Sequence, residues 1–229
     1  MMGVMALSEL WLDDLVQAFD ERADPDKAPG MSAYVKGHFE FIGVSAAERR
    51  QASKPIIAVA KTMDPDELLE LAETLWAEPE REFHYVGMDA LRAGAKNLRA
   101  DDLEAVADFI CATPWWDTVD SLAIHTVGTL VANHDLGAVM DEWIESPDIW
   151  LARSAILHQL MYKDETDSER LLSYCRSQAE NTEFFIRKAI GWALRQYART
   201  DPEAVRAFVM AHDDVLSGLS KREALKHLG

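Results

Sequence analysis

The sequence predicts an all-α protein, a right-handed superhelical solenoid of antiparallel helix pairs with a concave groove. Three observations carry that prediction. Apolar residues recur at spacings of three and four in "DELLELAETLWAE" (66–78), "EFHYVGMDALRAGAK" (82–96) and "TVDSLAIHTVGTLVAN" (118–133), the pattern of a helix with one buried face. Runs of alternating β-branched residues bounded by turn chemistry are missing. Aspartates suited to cap helices return at a near-constant interval: Asp66, Asp101, Asp135, Asp167 and Asp201 are separated by 35, 34, 32 and 34 residues.

Each element follows in chain order. Residues 1–24 read as an N-terminal helix, apolar only in helical stripes, with no basic region or small-residue cleavage site to mark a signal peptide. The turn-rich "DERADPDKAPGMS" separates that helix from a repeat array over 25–229, and no linker divides the array, so one domain is expected. Within the array "ARSAIL" from 152 matches "IRKAIG" from 186, and "DSERLLSYC" from 167 matches "DPEAVRAFV" from 201, each at a shift of 34. A period of this size implies helix pairs, each burying its apolar face on the next. The Trp, Leu-Gly and Tyr spacing of tetratricopeptide repeats is absent, and shortened HEAT-like pairs fit better. "SKREALKH" (220–227) reads as a short charged cap on the array.

Composition narrows the function classes. The chain has 229 residues, 48% of them hydrophobic, which supplies a core and excludes wholesale disorder. No apolar run reaches membrane-span length. Cys111 and Cys175 are too few and too far apart for a disulfide framework or zinc knuckle, so a reducing cytoplasm is the expected compartment and both read as packing. The seven histidines lack metal-ligand spacing, with His125 and His134 nine apart on one long helix. No phosphate loop, serine elbow or kinase signature occurs, and no cofactor or metal is called for. Forty acidic residues against 23 Lys and Arg give a formal net charge of −17, adverse to polyanion binding unless basic residues concentrate locally.

Three segments carry side chains suited to chemistry. In "PWWDTVDSLAIH" Asp117 is expected to cap a helix, which places Asp120 at its third position, where the dipole would keep it ionised. Trp116 lies four residues earlier on the same side. The plain alternative is a capping acid and a packing indole. In "FFIRKAIGWALRQYART" Trp192 shares a stripe with Lys188, Arg195 and Arg199, either an aromatic platform beside phosphate-binding cations or an exposed indole with cation–π contacts to its own helix. Arg153 emerges from the apolar neighbours Ile149, Trp150, Ile156 and Leu157 and therefore needs a partner, a structural carboxylate or a backbone phosphate.

These blocks, with "YVKGHFEFIGV" (34–44) and "WLARSAILHQLMYK" (150–163), resemble the AlkD family of DNA alkylation repair glycosylases over nearly the whole chain after about residue 25. The resemblance implies excision of cationic N3- and N7-alkylpurines from duplex DNA by a monomer. It implies that Asp120 is the catalytic aspartate, Trp116 and Trp192 the lesion-facing indoles, Arg153 the groove arginine and Tyr34 an aromatic DNA contact. Lys188 and Arg195, with Lys36 and Arg199, are the candidates for a basic concentration on the concave face. An alkylated purine is already a good leaving group, so one carboxylate and two aromatic faces suffice to stabilise the oxocarbenium-like sugar. The competing readings are a non-enzymatic scaffold for protein partners, to which the charge of −17 is better suited, and a structured-DNA binder without catalysis.

Overall fold

Helices joined by short turns make up residues 7–228, which the computed structural model describes; strand-like pairing among them is a lone bridge between Glu40 and Glu80. The predicted all-α class is what the structure shows. Among the described residues no helix is long and apolar enough to cross a membrane. The chain divides into two compact units, Met1–Ala105 and Val106–Gly229.

The first unit holds α1 (Leu7–Asp20), α2 (Ala28–Tyr34), α3 (Ala46–Ala52), α4 (Lys54–Ala60), α5 (Pro65–Trp76) and α6 (Arg81–Gly94). On α5 the buried residues are Leu68, Leu71, Ala72, Leu75 and Trp76, a single stripe that packs on α6. Each buried leucine of that stripe contributes about 1.5–3 kcal/mol. The block 34–44 is ordered by two α6 side chains. Glu82, fully buried, accepts hydrogen bonds from the backbone N–H groups of Ile42 (3.2 Å), Gly43 (2.9 Å) and Val44 (3.2 Å), while the Arg81 guanidinium lies 3.7 Å from the Phe39 ring centroid. Gly43 is required there: its φ is 96° and a Cβ would sit 2.0 Å from the Asp24 carbonyl oxygen.

The second unit opens within α7 (Leu103–Ala112). A continuous helix over 116–133 follows, made of α8 (Trp116–Ser121), a π-helical stretch Leu122–Val127 and α9 (Gly128–Asn133). Then come α10 (Gly137–Ile144), α11 (Ile149–Leu157), α12 (Ser168–Ser177), α13 (Phe184–Tyr197), α14 (Pro202–Ala211) and α15 (Gly218–Ala224). His134 lies past the helix end in extended backbone (φ −135°), so it does not share a helix with His125 as expected. Cys111 and Cys175 are free thiols, pushed by burial to about 11 and about 12.

The 34-residue period appears as physical contacts between successive pairs. Tyr162 donates to the Gly128 carbonyl (2.5 Å), Tyr174 to Asp141 (2.5 Å), Gln178 to the Ile144 carbonyl (2.7 Å) and Ser220 to the Arg187 carbonyl (2.9 Å), each across 33 or 34 residues. The expected caps hold at Asp167 and Asp201, whose carboxylates accept from the N–H groups of Arg170 and Ala204. At α5 the cap is Asp64, because Pro65 takes the first helical position and leaves Asp66 inside the first turn. Asp101 sits within a 3-10 turn whose Asp102 carboxylate reaches back to the Arg99 N–H (2.6 Å). Asp135 lies two residues before α10, which starts after Leu136 without a side-chain cap.

Candidate active site

Local structure at α8 differs from the expectation by two residues, and the shift matters. Trp115 is extended (φ −157°) and occupies the cap position, with its carbonyl accepting from the Val119 N–H at 3.0 Å. Asp117 is therefore inside the first turn, where its carboxylate accepts from the Thr118 N–H at 3.0 Å, and is not the cap. Counting from Trp116, Asp120 becomes the fifth helical residue, beyond the first turn where the helix dipole acts most strongly.

What holds Asp120 is Arg153 from α11. Arg153 Nε donates to Asp120 Oδ1 at 2.7 Å and Nη2 to Oδ2 at 2.8 Å, a two-pronged pair, while Nη1 donates to the Phe185 carbonyl at the start of α13. One guanidinium thus ties α8, α11 and α13 together. The Arg153 side chain is 3% exposed and that of Asp120 16%, so the carboxylate keeps a face toward solvent and the arginine does not. Of the two partners the sequence allowed for Arg153, the carboxylate is the one in place. Burial pushes the Asp120 carboxyl above the ordinary aspartate range, against the pull of the Arg153 hydrogen bonds. The helix start was expected to keep this acid ionised; here the guanidinium takes that role.

Behind the pair stands an aromatic wall that sequence reading did not assemble. Trp115 meets Phe185 edge-on at 5.1 Å between centroids and Trp150 at 5.9 Å, and Trp150 meets Phe185 at 4.9 Å. Phe185 also lies 5.8 Å from the Arg153 guanidinium carbon. Such a wall keeps water from the arginine and strengthens its pairing. Trp116 is half-buried one turn before Asp120 on the same helix side.

Trp192 belongs to a second cluster on α13. It lies seven residues beyond Phe185, about 10 Å along the helix axis. Lys188 and Arg195, which flank it, both pair with Glu223 of α15: Lys188 Nζ lies 2.9 Å from Oε1, and Arg195 Nη1 donates to Oε2. The Lys188 hydrogen bond leads in holding the Glu223 carboxyl below its usual range. Gly191 permits the close approach, since a Cβ there would sit 2.5 Å from Glu223 Cβ. The block "SKREALKH", expected to be a charged cap, thus supplies the acid that binds two predicted DNA contacts. Among the described residues Trp192, half-buried, makes no hydrogen bond, ring contact or cation–π contact, so its indole face is free.

The structure brings Asp120, Trp116 and Arg153 together. Trp192, Lys188 and Arg195 form a neighbouring cluster. Tyr34 is 67% exposed at the end of α2 in the first unit, followed by Lys36 and Gly37 in left-handed backbone (φ 62° and 74°). Arg199 is exposed just past α13. Chemically, the first cluster offers a carboxylate fixed along one edge by two N–H groups. Each of its oxygens retains a lone pair for a water or a cation.

A model of the family described as "DNA alkylation repair enzyme" matches residues 15–228. Among solved structures the chain is 32% identical to a "Predicted DNA alkylation repair enzyme from Enterococcus faecalis", with a TM-score of 0.84 over 91% of this chain and 97% of that one. It is 16% identical to AlkD2 from Streptococcus mutans (TM-score 0.63, 87% of this chain and 98% of that one). It is also 16% identical to smu.31 from Streptococcus mutans UA159 (TM-score 0.61, 79% and 92%). No curated protein matches the sequence.

Proposed function

The chain belongs to the DNA alkylation repair enzyme family, and from that premise we propose that it is a glycosylase. In this reading it acts as a monomer on duplex DNA and hydrolyses the N-glycosidic bond of purines made cationic by alkylation at N3 or N7. The observation that carries the reading is Asp120, a partly exposed carboxylate locked in one orientation by Arg153 one helical turn from Trp116. As the bond breaks, positive charge passes from the purine to the sugar. A carboxylate about 4 Å away stabilises that charge by about 4 kcal/mol at an effective dielectric near 20. No general acid is required, because the leaving purine is already charged. Arg153 is a positioning residue, holding the carboxylate ionised and in place, and the free indole of Trp192 offers a cation–π face.

The test is release of free 7-methylguanine or 3-methyladenine from alkylated duplex by purified protein, with uracil and hypoxanthine duplexes left intact. Asp120→Asn is expected to lower the single-turnover rate by up to about a thousandfold. Because Arg153 then loses part of its partner, the variant is assayed below its measured Tm, with binding to undamaged duplex as the check on folding. Excision at the wild-type rate removes the catalytic assignment; binding without release of any purine by the wild type leaves a DNA binder without catalysis.

A further inference from the structure

The turn between α11 and α12 walls a cavity in the second unit. The buried Gln159 amide fastens that turn: its Nε2 donates to the Asp167 carbonyl (3.3 Å) and its Oε1 accepts from the Asp167 N–H (2.7 Å). The C-terminal end of α13 lines the other side, and the space between is about 300 Å³, enough for a small molecule. Its floor is apolar, made of Ile156, Leu160, Leu171 and Ala193, all buried. Its rim is polar and carries Lys163, Asp164, Gln196, Arg199 and Thr200. Among the described residues none of those five side chains has an ion pair or a hydrogen bond. Lys163 is also held in left-handed backbone (φ 55°), a conformation costly for a residue with a side chain and one that gathers at ligand sites.

We infer that this cavity binds a free nucleoside monophosphate. Two unpaired cations suit a doubly charged head, and the terminal oxygens of a phosphate can accept from Lys163, Arg199 and Thr200 together. The acid beside them, Asp164, can only accept, so the ligand brings a hydroxyl close to its head. The apolar floor requires a body with an apolar face. A sugar phosphate lacks that face, and an alkyl phosphate lacks the hydroxyl. A nucleotide has all three parts: phosphate, ribose hydroxyl and a flat base whose edge meets the Gln196 amide. A duplex keeps its bases stacked and paired, so it cannot lay one on this floor. The inference needs neither DNA nor Asp120, and it stands apart from the excision reading.

The experiment titrates AMP, GMP, CMP and UMP separately into full-length protein by calorimetry, with adenosine and inorganic phosphate as further arms. At least one nucleotide is expected to bind with a Kd below about 1 mM, and adenosine and phosphate at least about tenfold more weakly. The double variant Lys163→Asn/Arg199→Gln is expected to lose at least about tenfold in nucleotide affinity. It should keep the wild-type Tm, because both cations are exposed and unpaired among the described residues and asparagine tolerates left-handed backbone. An equal loss of charge in the first unit, Lys54→Gln/Lys61→Gln, is expected to leave the Kd within about twofold. Failure of all four nucleotides to bind would overturn the inference, as would adenosine or phosphate binding as tightly as the nucleotide. An unchanged Kd in the double variant would overturn the placement. Displacement of the nucleotide by a short undamaged duplex would assign the two cations to a DNA-binding surface and overturn the choice of occupant.

Discussion

Two sets of cations, one in each unit, are in opposite states. In the second unit Arg153 is held by Asp120, and Lys188 and Arg195 share Glu223. In the first unit Arg50, Lys54, Lys61 and Arg92 line a groove; among the described residues none of the four has a side-chain ion pair or hydrogen bond, and Arg50 and Arg92 meet only the longer-range charge of Asp89. The same residue types therefore serve different physical ends. A paired guanidinium fixes a neighbouring acid and contributes rigidity, whereas a free ammonium can exchange condensed counterions for a phosphate. A net charge of −17 says little about either, because the acids are spent unevenly over the surface.

The largest effect is expected where the pairing is deepest. Arg153→Met leaves the mostly buried Asp120 carboxylate without a partner and the Phe185 carbonyl without its donor, and should cost about 3–5 kcal/mol of stability, read as a lowered Tm or denaturation midpoint. The same variant sharpens the pH behaviour. Excision in this mechanism needs ionised Asp120, whose carboxyl is raised by burial, so the wild-type rate should fall on acidification at a pH above the ordinary aspartate value of about 3.9. Arg153 pulls that carboxyl down, so removing it should move the acid limb to higher pH still. An acid limb that moves the other way, or a variant as stable as the parent, would mean that the pair does not hold the carboxylate.

These pairings mark where sequence reading stops. Asp120 and Arg153 were both legible, one from its place beside Trp116 and the other as a cation among apolar neighbours. Their bond joins residues 33 apart, and only the 34-residue repeat hinted that they occupy equivalent places in successive helix pairs. The helix class was legible because apolar spacing reports burial directly; cap positions were less so, since Pro65 or an extended Trp115 moves a helix start by two residues. Glu223 escaped notice because a carboxylate within "SKREALKH" gives no local sign of which helix it will meet. The groove cations were missed for a related reason. Pro55 interrupts the apparent periodicity of α4, and the facing stripe on α6 begins 28 residues after Lys61.

A smaller effect comes from converting the second unit toward the state of the first. Glu223→Gln frees Lys188 and Arg195 without adding any basic residue. Affinity for undamaged duplex should rise, and the salt slope should steepen by as much as about 2, if both released cations reach phosphates. The stability cost should stay near 0–1 kcal/mol, since Lys188 is more than a third exposed and solvent screens the pair. Anisotropy titration in KCl reads both quantities. No gain in affinity would show that these two cations face away from bound DNA and that Glu223 only docks α15.

The smallest effect tests the indole between them. Trp192→Phe keeps an aromatic ring but weakens its attraction for a cation, a change of roughly 0.5–1 kcal/mol and so about 2- to 5-fold. The probe is a duplex in which one deoxyribose is replaced by a cationic pyrrolidine, against a neutral tetrahydrofuran at the same place. The variant should lose affinity for the cationic duplex alone. Equal losses on both would assign Trp192 to shape rather than charge, and no loss on either would place its free face outside the site. The comparison is informative because, among the described residues, Trp192 makes no ring or cation contact, so the substitution breaks no interaction of that kind among them that would blur the reading.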